Sequence, residues 1–447
     1  MISRDPFEVQ RGDAAALERL YREAVANADE PAFREGLSRS AAAHPGDALL
    51  AAWVYRLDLR PLPAAPTHAT RPALASHWTT AVAGSILMGL LALLCAGGQP
   101  PVPSPEAANP LFWIAWAPLT GLGILAFLAL RGAAGNPDQR LARFGLPALA
   151  MVLVAGYVGL IFWGRTDQIA QLIALHLPLV AWAALGAGLC LRRPDTPEQG
   201  HAFAVKSVEI ALTAGIYFGA WMLFVGLTAG IFSVLGFQPG EAVMVTAAAW
   251  GTGAVPLLAL ATVGDPSRIP TAQPWHTGLA PILRILTRLL LPLALAVLAV
   301  YLCWVVPAYF WRPFEEREVL AVYNATILAI LTLMTAALTD PEEERSAAQD
   351  ISLRIQLLAL AALTFALNLY ALAAILSRTL NYGLTPNRCT VLGWNIVTLL
   401  MLGLALAGQW RVPGAGWASA LRTALGRGAA LAALWALGVL LVLPWVF

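Results

Sequence analysis

Long apolar runs separated by short polar loops repeat eleven times along the chain, beginning near residue 79. An α-helix needs about 20 mostly apolar residues to cross the hydrocarbon core of a bilayer. The pattern therefore predicts an all-α, polytopic membrane protein that contacts the lipid bilayer. The predicted spans are 79–96, 110–130, 146–163, 168–191, 208–235, 242–264, 286–307, 319–338, 354–377, 389–408 and 428–446.

The first 60 residues follow a different pattern, which is typical of a small soluble helical module. Asp13 is placed to cap a helix whose apolar residues recur every three or four positions, and Pro31 and Asp47 mark the starts of two more. Three short helices bury little area, so we expect the module (1–60) to dock on the membrane domain or on a soluble cytoplasmic partner. A Pro-rich linker (61–78) then leads to the transmembrane domain (79–447).

The distribution of basic residues predicts the orientation of the spans. Loops on the side of the N-terminus hold 14 Lys and Arg residues, against 5 on the other side. Because loops enriched in Lys and Arg stay in the cytoplasm, the N-terminus is predicted to be cytoplasmic and the C-terminus periplasmic. The polar start of the chain indicates no cleaved signal peptide, and the location predicted is a bacterial inner membrane.

The composition narrows the classes of function. Of the 447 residues 59% are hydrophobic and only 12% are charged, and the net charge of +2 leaves no basic stripe for nucleic acid. Lys206 is the sole lysine, a skew typical of a GC-rich bacterial genome. The four cysteines and six histidines show no ligand spacing, so we predict neither a metal site nor a cofactor.

Polar side chains inside the predicted spans are the leading candidates for function, because a polar group in hydrocarbon is costly. Two interpretations stay open for them: they line a substrate or proton path near the midplane, or they form hydrogen bonds between helices. The residues concerned are His176, Asn324, Asn368, Asn395 and Tyr370.

Three further patterns concern local structure. Lys206 and Glu209, one helical turn apart, are predicted to form a solvated pair at the membrane interface. The amphipathic segment from Trp275 to Arg288 predicts an interfacial helix that leads into the seventh span. Small-xxx-small pairs in the fifth span, Gly215/Gly219 and Gly226/Gly230, predict close helix packing.

The loop before the tenth span carries the most specific motif. It reads Tyr382-Gly383-Leu384-Thr385-Pro386-Asn387-Arg388, in which Gly383 allows a left-handed turn, Thr385 can cap a helix and Pro386 suits its first position. Arg388 is then placed at headgroup level. Together with Arg312 and Arg317 in the preceding outer loop, it is a candidate contact for a lipid phosphate or an anionic solute; a purely structural role for the loop is the alternative.

With Leu279–Leu283, Leu291–Leu293 and Tyr323–Leu331, this loop resembles the bacterial polytopic membrane proteins grouped as domain-of-unknown-function family 4153 (DUF family 4153). The resemblance covers roughly the last 200 residues. It implies a multi-span membrane protein and assigns no activity and no catalytic residue.

Three hypotheses for function follow, from different classes. The first is a transporter, permease or lipid-handling carrier with a polar path through the spans. The second is a membrane scaffold or signalling component whose working surface is the module at 1–60. The third, ranked last, is an intramembrane enzyme acting on a lipid-linked substrate, for which only Glu315, Glu316 and Glu318 offer an acidic group.

The orientation is directly testable with reporter fusions at the C-terminus. We expect a phosphatase that is active only in the periplasm to be active when it is fused to the C-terminus, because the loop arginines hold the opposite face in the cytoplasm. An inactive phosphatase, with a cytoplasmic reporter active at the same position, is the contrary result.

Overall fold

In the computed structural model, helices joined by loops make up the residues that it describes, and the chain forms two compact units, Met1–Ser76 and His77–Phe447. The described residues are 13–27, 29–44, 47–57, 73–97, 110–131, 141–162, 167–191, 195–236, 241–275, 278–338, 346–411 and 416–447.

The first unit contains three short helices, α1 (Ala14–Ala26), α2 (Glu30–Ala43) and α3 (Ala48–Arg56). As predicted, the Asp13 carboxylate accepts hydrogen bonds from the first amides of α1, and Asp47 does the same for α3. Pro31 lies in the first turn of α2, also as predicted. The predicted break at Pro45 and Gly46 lies outside the described residues.

These three helices share a hydrophobic core of their own. Leu17, Leu37 and Leu50 are fully buried, one from each helix, and the rings of Phe33 and Trp53 meet edge to face at their side. Of the stripe that sequence periodicity predicts on α1, Leu17, Leu20, Tyr21 and Ala24 fill this core, whereas the prediction is wrong for Val25, which is 48% exposed.

A charge cluster on its surface joins the first and last of the three helices. The Glu18 carboxylate on α1 accepts hydrogen bonds from Arg22, one turn on, and from Arg56 at the end of α3. The Arg56 guanidinium also lies 4.2 Å from the centre of the Trp53 ring. These contacts close the open side of the three-helix unit.

The second unit confirms the predicted number of spans: among its described residues, eleven helices are long and apolar enough to cross a membrane. The chain is an integral membrane protein. Residues 58–72, most of the predicted linker, lie outside the described residues. The spanning helices are α4 (Ala73–Ala96), α5 (Pro110–Arg131), α6 (Leu146–Phe162), α7 (Gln168–Cys190), α8 (Thr196–Val234), α9 (Glu241–Val263), α10 (Ala280–Val300), α11 (Arg317–Ala337), α12 (Ala347–Tyr382), α13 (Pro386–Arg411) and α14 (Trp417–Leu441).

Two spans begin much earlier than hydropathy predicts, α8 at Thr196 instead of 208 and α14 at Trp417 instead of 428. Their first turns are polar, so an apolar window does not detect them. The two helices approach closely there, since a Cβ at Gly426 would lie 1.9 Å from the Pro197 carbonyl oxygen. The glycine is required because no side chain fits between these backbones.

The two largest of the hydrophobic clusters among the described spans divide the bundle into two halves. One is built by α4, α5, α7 and α9 together with residues from α6, and the other by α10 to α14. Helix α14 joins the two halves because it packs against α7, α8 and α13. This arrangement brings the ends of α7, α11, α12 and α13 to one face of the bundle.

Two of the local predictions are wrong. Among the described residues no separate interfacial helix precedes the seventh span, since α10 begins at Ala280 and continues without interruption to Val300. The glycine pairs of α8 do not mediate packing within this chain. A Cβ at Gly215, Gly219, Gly226 or Gly230 would meet no described atom within 4 Å, because that stretch of α8 lies on the outside of the bundle.

The charge cluster of the first unit makes its stability dependent on pH. Hydrogen bonds from Arg56 and Arg22 lower the pKa of the Glu18 carboxyl below its ordinary value. Its contribution is therefore present above the ordinary glutamate pKa of about 4.3 and is lost as the pH falls through the lowered folded-state value.

We expect Glu18→Gln to reduce hydrogen-exchange protection of residues 14–57 at neutral pH and to flatten its decline on acidification, with rates corrected for intrinsic exchange. The matched control is Glu35→Gln, because Glu35 pairs only along its own helix, with Arg39, and both are exposed. Equal pH profiles for the two variants would show that Glu18 does not link α1 to α3.

Candidate functional site

A polar vestibule opens at the face of the bundle where α7, α11 and α13 begin and α12 ends, the face that the arginine count predicts to be outer. Its volume is about 500 Å³. The lining combines polar and apolar side chains from all four helices: Gln168, Leu320, Ala321, Asn324, Ile375, Arg378, Thr385, Asn387, Arg388 and Val391.

The loop between α12 and α13 holds Arg388 at the rim, and it folds as predicted. Gly383 adopts a left-handed conformation with φ of 78°. Helix α13 begins at Pro386, and the Thr385 hydroxyl just before it accepts a hydrogen bond from the Arg388 amide. The Arg388 guanidinium then donates through Nη1 to the carbonyl oxygens of Gly383 at 2.6 Å and Tyr382 at 3.1 Å.

A second arginine, Arg378 near the end of α12, faces the same space. Its Nη1 donates to the backbone carbonyl of Glu315 at 2.7 Å. In the part of the chain that the structure describes, neither Arg378 nor Arg388 forms an ion pair with a carboxylate. Each guanidinium has five N–H donors, so both keep donors for an anion in the vestibule.

The floor of the vestibule is Asn324, which begins a chain of three asparagines, one from each of α11, α12 and α13. Asn324 lines the cavity, and its Oδ1 accepts a hydrogen bond from the Asn395 side chain at 3.0 Å. Asn368 in turn donates to the Asn395 carbonyl oxygen at 3.1 Å and to the Thr398 hydroxyl at 2.7 Å. The three residues predicted as one candidate group therefore lie together.

Two acceptors of this chain are left over. Asn368 and Asn395 are fully buried, and the Oδ1 of each accepts no hydrogen bond from the described residues. An unsatisfied buried polar group costs about 1–3 kcal/mol. Such groups inside a membrane-spanning bundle mark places where a polar ligand or an ion path passes.

His176 lies elsewhere, between α7 and α13, and both of its ring nitrogens have partners. Nδ1 donates to the Leu172 carbonyl oxygen at 2.7 Å, which leaves Nε2 to accept from the Trp394 indole N–H at 2.8 Å. The two rings also stack, with centroids 5.8 Å apart. This geometry favours the interhelical hydrogen bond over a proton path for this histidine.

The remaining candidates border the vestibule rather than line it. The Tyr370 hydroxyl donates to the Phe310 carbonyl oxygen, and its ring packs against Phe310 and Tyr323. Arg312 is exposed and pairs with Glu316 at 3.5 Å. Arg317 is the first residue of α11. Tyr370 and Arg312 thus form an aromatic and charged edge beside the cavity.

The opposite face of the bundle holds a buried ion pair, so the prediction of a solvated pair is wrong. The side chains of Lys206 and Glu209 are 6% and 0% exposed, with Nζ and Oε2 2.7 Å apart. Lys206 also donates to the carbonyl oxygens of Val263 and Pro274, and its Nζ lies 4.5 Å from the centre of the Trp275 ring.

The Glu209 carboxylate completes this pair by capping another helix. Its Oε1 accepts the amide hydrogens of Leu279 at 3.1 Å and Ala280 at 3.0 Å, at the start of α10. Because the N-terminus of a helix favours negative charge, the carboxylate stabilises α10 as well as Lys206. One ion pair thus connects α8, the end of α9 and the start of α10.

Sequence reasoning missed two parts of the site. Arg378 is one of the five basic residues in the outer loops, and no local pattern distinguishes it from the others. Gln168 lies on α7, far in sequence from the motif between Tyr382 and Arg388. A signal did exist for the ion pair: the sole lysine of the chain lies three residues before a glutamate, beside an apolar run. Its burial depends on the loop from 264 to 275, which lies about 60 residues away.

Comparisons with known proteins find no match: no family model, no curated protein and no solved structure matches the chain. Among the described residues, no group of three or more His, Cys, Asp or Glu side chains is arranged to hold a metal ion. What the site can do therefore follows from its own groups, which present positive charge above a neutral amide network.

The buried ion pair predicts a large effect on stability. We expect Lys206→Met or Glu209→Leu alone to lower stability by about 3–5 kcal/mol, because each leaves an uncompensated buried charge. The double variant should cost less than the sum of the two, since no charge then remains. Thermal unfolding of the purified protein in detergent measures both effects.

The matched control is Arg312→Gln, which breaks an exposed pair and should cost less than about 1 kcal/mol. If Lys206→Met melts at the same temperature as Arg312→Gln, the ion pair does not hold α8, α9 and α10 together.

Proposed function

We propose that the membrane domain is a carrier that takes up an anionic group, of a free solute or of a lipid headgroup, through the arginine vestibule. The observation that carries the proposal is the position of Arg378 and Arg388 above the buried chain of Asn324, Asn395 and Asn368. Charge at the entrance attracts an anion, and the amide network supplies a polar surface below it.

The electrostatics favour an anion over a cation at this entrance. Both guanidiniums are held by backbone carbonyl oxygens, which fix their direction without neutralising their charge. The N-terminus of α13 adds its partial positive charge at Thr385 and Asn387, which also line the cavity. Hydrogen bonds from such groups to a phosphate or carboxylate are short and strong.

The buried amide oxygens explain why the proposal is a carrier and not only an anion-binding surface. Asn395 bonds to Asn324 and to the carbonyl oxygen of Val391, both lining residues, so its side chain lies directly behind the floor. Its unused Oδ1 and that of Asn368 continue the polar groups into the bundle. This continuity is what a solute path needs in hydrocarbon.

Orientation and location form part of the same proposal. The vestibule lies on the face whose loops are poor in arginine, so we place it at the outer side of a bacterial inner membrane. Membership in DUF family 4153, on the likeness of the loop at 382–388, is likewise a proposal.

The scaffold hypothesis keeps one supporting observation, since the first unit has a hydrophobic core of its own. It predicts that the module is the working surface. Deleting residues 1–60 from the full chain separates the two hypotheses. A carrier retains anion binding after the deletion, whereas a scaffold loses the binding of its soluble partner.

The test of the carrier is anion binding to the purified protein, with inorganic phosphate, a small dicarboxylate and glycerol phosphate as probes. We expect Arg388→Gln or Arg378→Gln to weaken binding of the preferred probe roughly tenfold, since one charge-assisted hydrogen bond is lost. Arg312→Gln is the matched control, being an exposed arginine at the same face that does not line the vestibule, and should bind as the wild type does.

Two further measurements distinguish the outcomes. Flux of the bound probe into proteoliposomes should fall in Asn395→Ala while binding persists, because the variant alters the asparagine chain behind the floor and leaves the entrance intact. Binding of phosphatidylglycerol in nanodiscs without binding of free glycerol phosphate would identify a lipid headgroup as the ligand. Equal affinities in wild type, Arg388→Gln and Arg312→Gln would refute the vestibule.

A further inference from the structure

A second cavity, separate from the vestibule, lies at the opposite face of the bundle. Its volume is about 300 Å³, and α5, α7, α8, α9 and the loop at 264–273 form its walls. Aliphatic and aromatic side chains make up most of the lining, among them Leu128, Trp182, Leu185, Phe203 and Leu260. A cavity of this size and character is typical of a site for an apolar ligand.

Two polar residues of α8 that line the cavity offer nothing to a polar ligand. Lys206 uses its three N–H donors on Glu209 and on two backbone carbonyl oxygens. The Ser207 hydroxyl donates to the Phe203 carbonyl oxygen and accepts from the indole N–H of Trp182 at 2.9 Å. Only an apolar group can lie against these two side chains without leaving a hydrogen-bonding group unsatisfied.

The cavity opens sideways from the bundle and is bordered at one end by charge. Ala211, which lines it, is an exposed residue on the outward side of α8, where the bilayer lies. Arg268 and Asp265 line it from the loop, and their paired side chains are 53% and 34% exposed. The Arg268 Nε pairs with Asp265 and its Nη1 bonds to the carbonyl oxygen of Ala272, so that among the described residues Nη2 is left for a further acceptor.

The loop that carries Arg268 has a fixed shape. The Gln273 side chain donates to the carbonyl oxygens of Asp265 and Arg268, and it accepts the Asp265 amide hydrogen. Arg268 is therefore held at a fixed position relative to the apolar walls. A residue that contacts a lipid headgroup must be placed in this way when the lipid's acyl chain is itself fixed between the walls.

We propose that this cavity holds one phospholipid of the bilayer, with an acyl chain between α5, α7 and α8 and its phosphate at Arg268. The Arg268 guanidinium at the loop and the open side toward the bilayer identify the occupant. A phospholipid supplies the apolar chain and the anionic phosphate in one molecule, and it fills space whose walls would otherwise lack packing partners.

The test uses the full-length protein in detergent and a phosphatidylglycerol whose acyl chains are brominated, because bromine quenches tryptophan on contact. The signal of Trp182 is the difference between the wild type and Trp182→Phe. We expect its quenching to saturate near one lipid per protein. Quenching of Trp304, which is 75% exposed on the outside of the bundle, should instead rise steadily with added lipid.

Cavity-filling variants make the test specific. Ala214→Phe places a ring among the lining residues and should abolish the saturable quenching, whereas Ala220→Phe, exposed on the same helix and outside the lining, should retain it. Arg268→Gln should weaken the lipid about fivefold through loss of the phosphate contact. Should Ala214→Phe melt early, Ala211→Phe fills the open side instead.

Quenching of Trp182 that rises linearly like that of Trp304, or that survives both filling variants, would overturn the proposal. Saturable quenching that Arg268→Gln leaves unchanged would also overturn it, since the phosphate would then have no part in binding. Native mass spectra of the same samples count the retained lipid directly, and a wild type that retains none contradicts a fixed occupant.

Discussion

The ion pair between Lys206 and Glu209 is the constraint on which the membrane domain depends most. Two opposite charges removed from water are tolerated only when both are fully hydrogen-bonded. Here the ammonium and carboxylate bind the end of α9, the 264–275 loop and the start of α10. The three helices are therefore fixed to one another at this face, and the walls of the apolar cavity with them.

The opposite face uses polar groups in a different way. At the vestibule, backbone carbonyl oxygens orient Arg378 and Arg388, and no carboxylate among the described residues compensates their charge. The asparagine chain below ends in two acceptors that receive no hydrogen bond from the described residues. The ion pair is thus fully hydrogen-bonded, and the asparagine chain is left incomplete. In a membrane protein such an incomplete network offers partners to an external polar group.

Much of the fold was predictable because each signal is local. The number of spans followed from run length, and Asp13, Thr385 and Gly383 acted as their chemistry predicts. The site was predictable only in part. Polar residues inside spans pointed to Asn324, Asn368 and Asn395, but not to Arg378, because its place beside Arg388 arises from the packing of α12 on α13.

The sequence by itself determined an all-α membrane protein with eleven spans, a three-helix unit before them, and a capped turn that holds Arg388. Only the tertiary structure decided which polar side chains are buried and which residues they bond to. Glu209 and Leu279 are 70 positions apart, yet their contact helps turn a Lys and a Glu that look like surface residues into a buried ion pair that links helices. Tertiary packing also leaves the α8 glycines facing outward. Hydropathy and capping act within a few turns, whereas burial depends on whichever distant helix packs alongside.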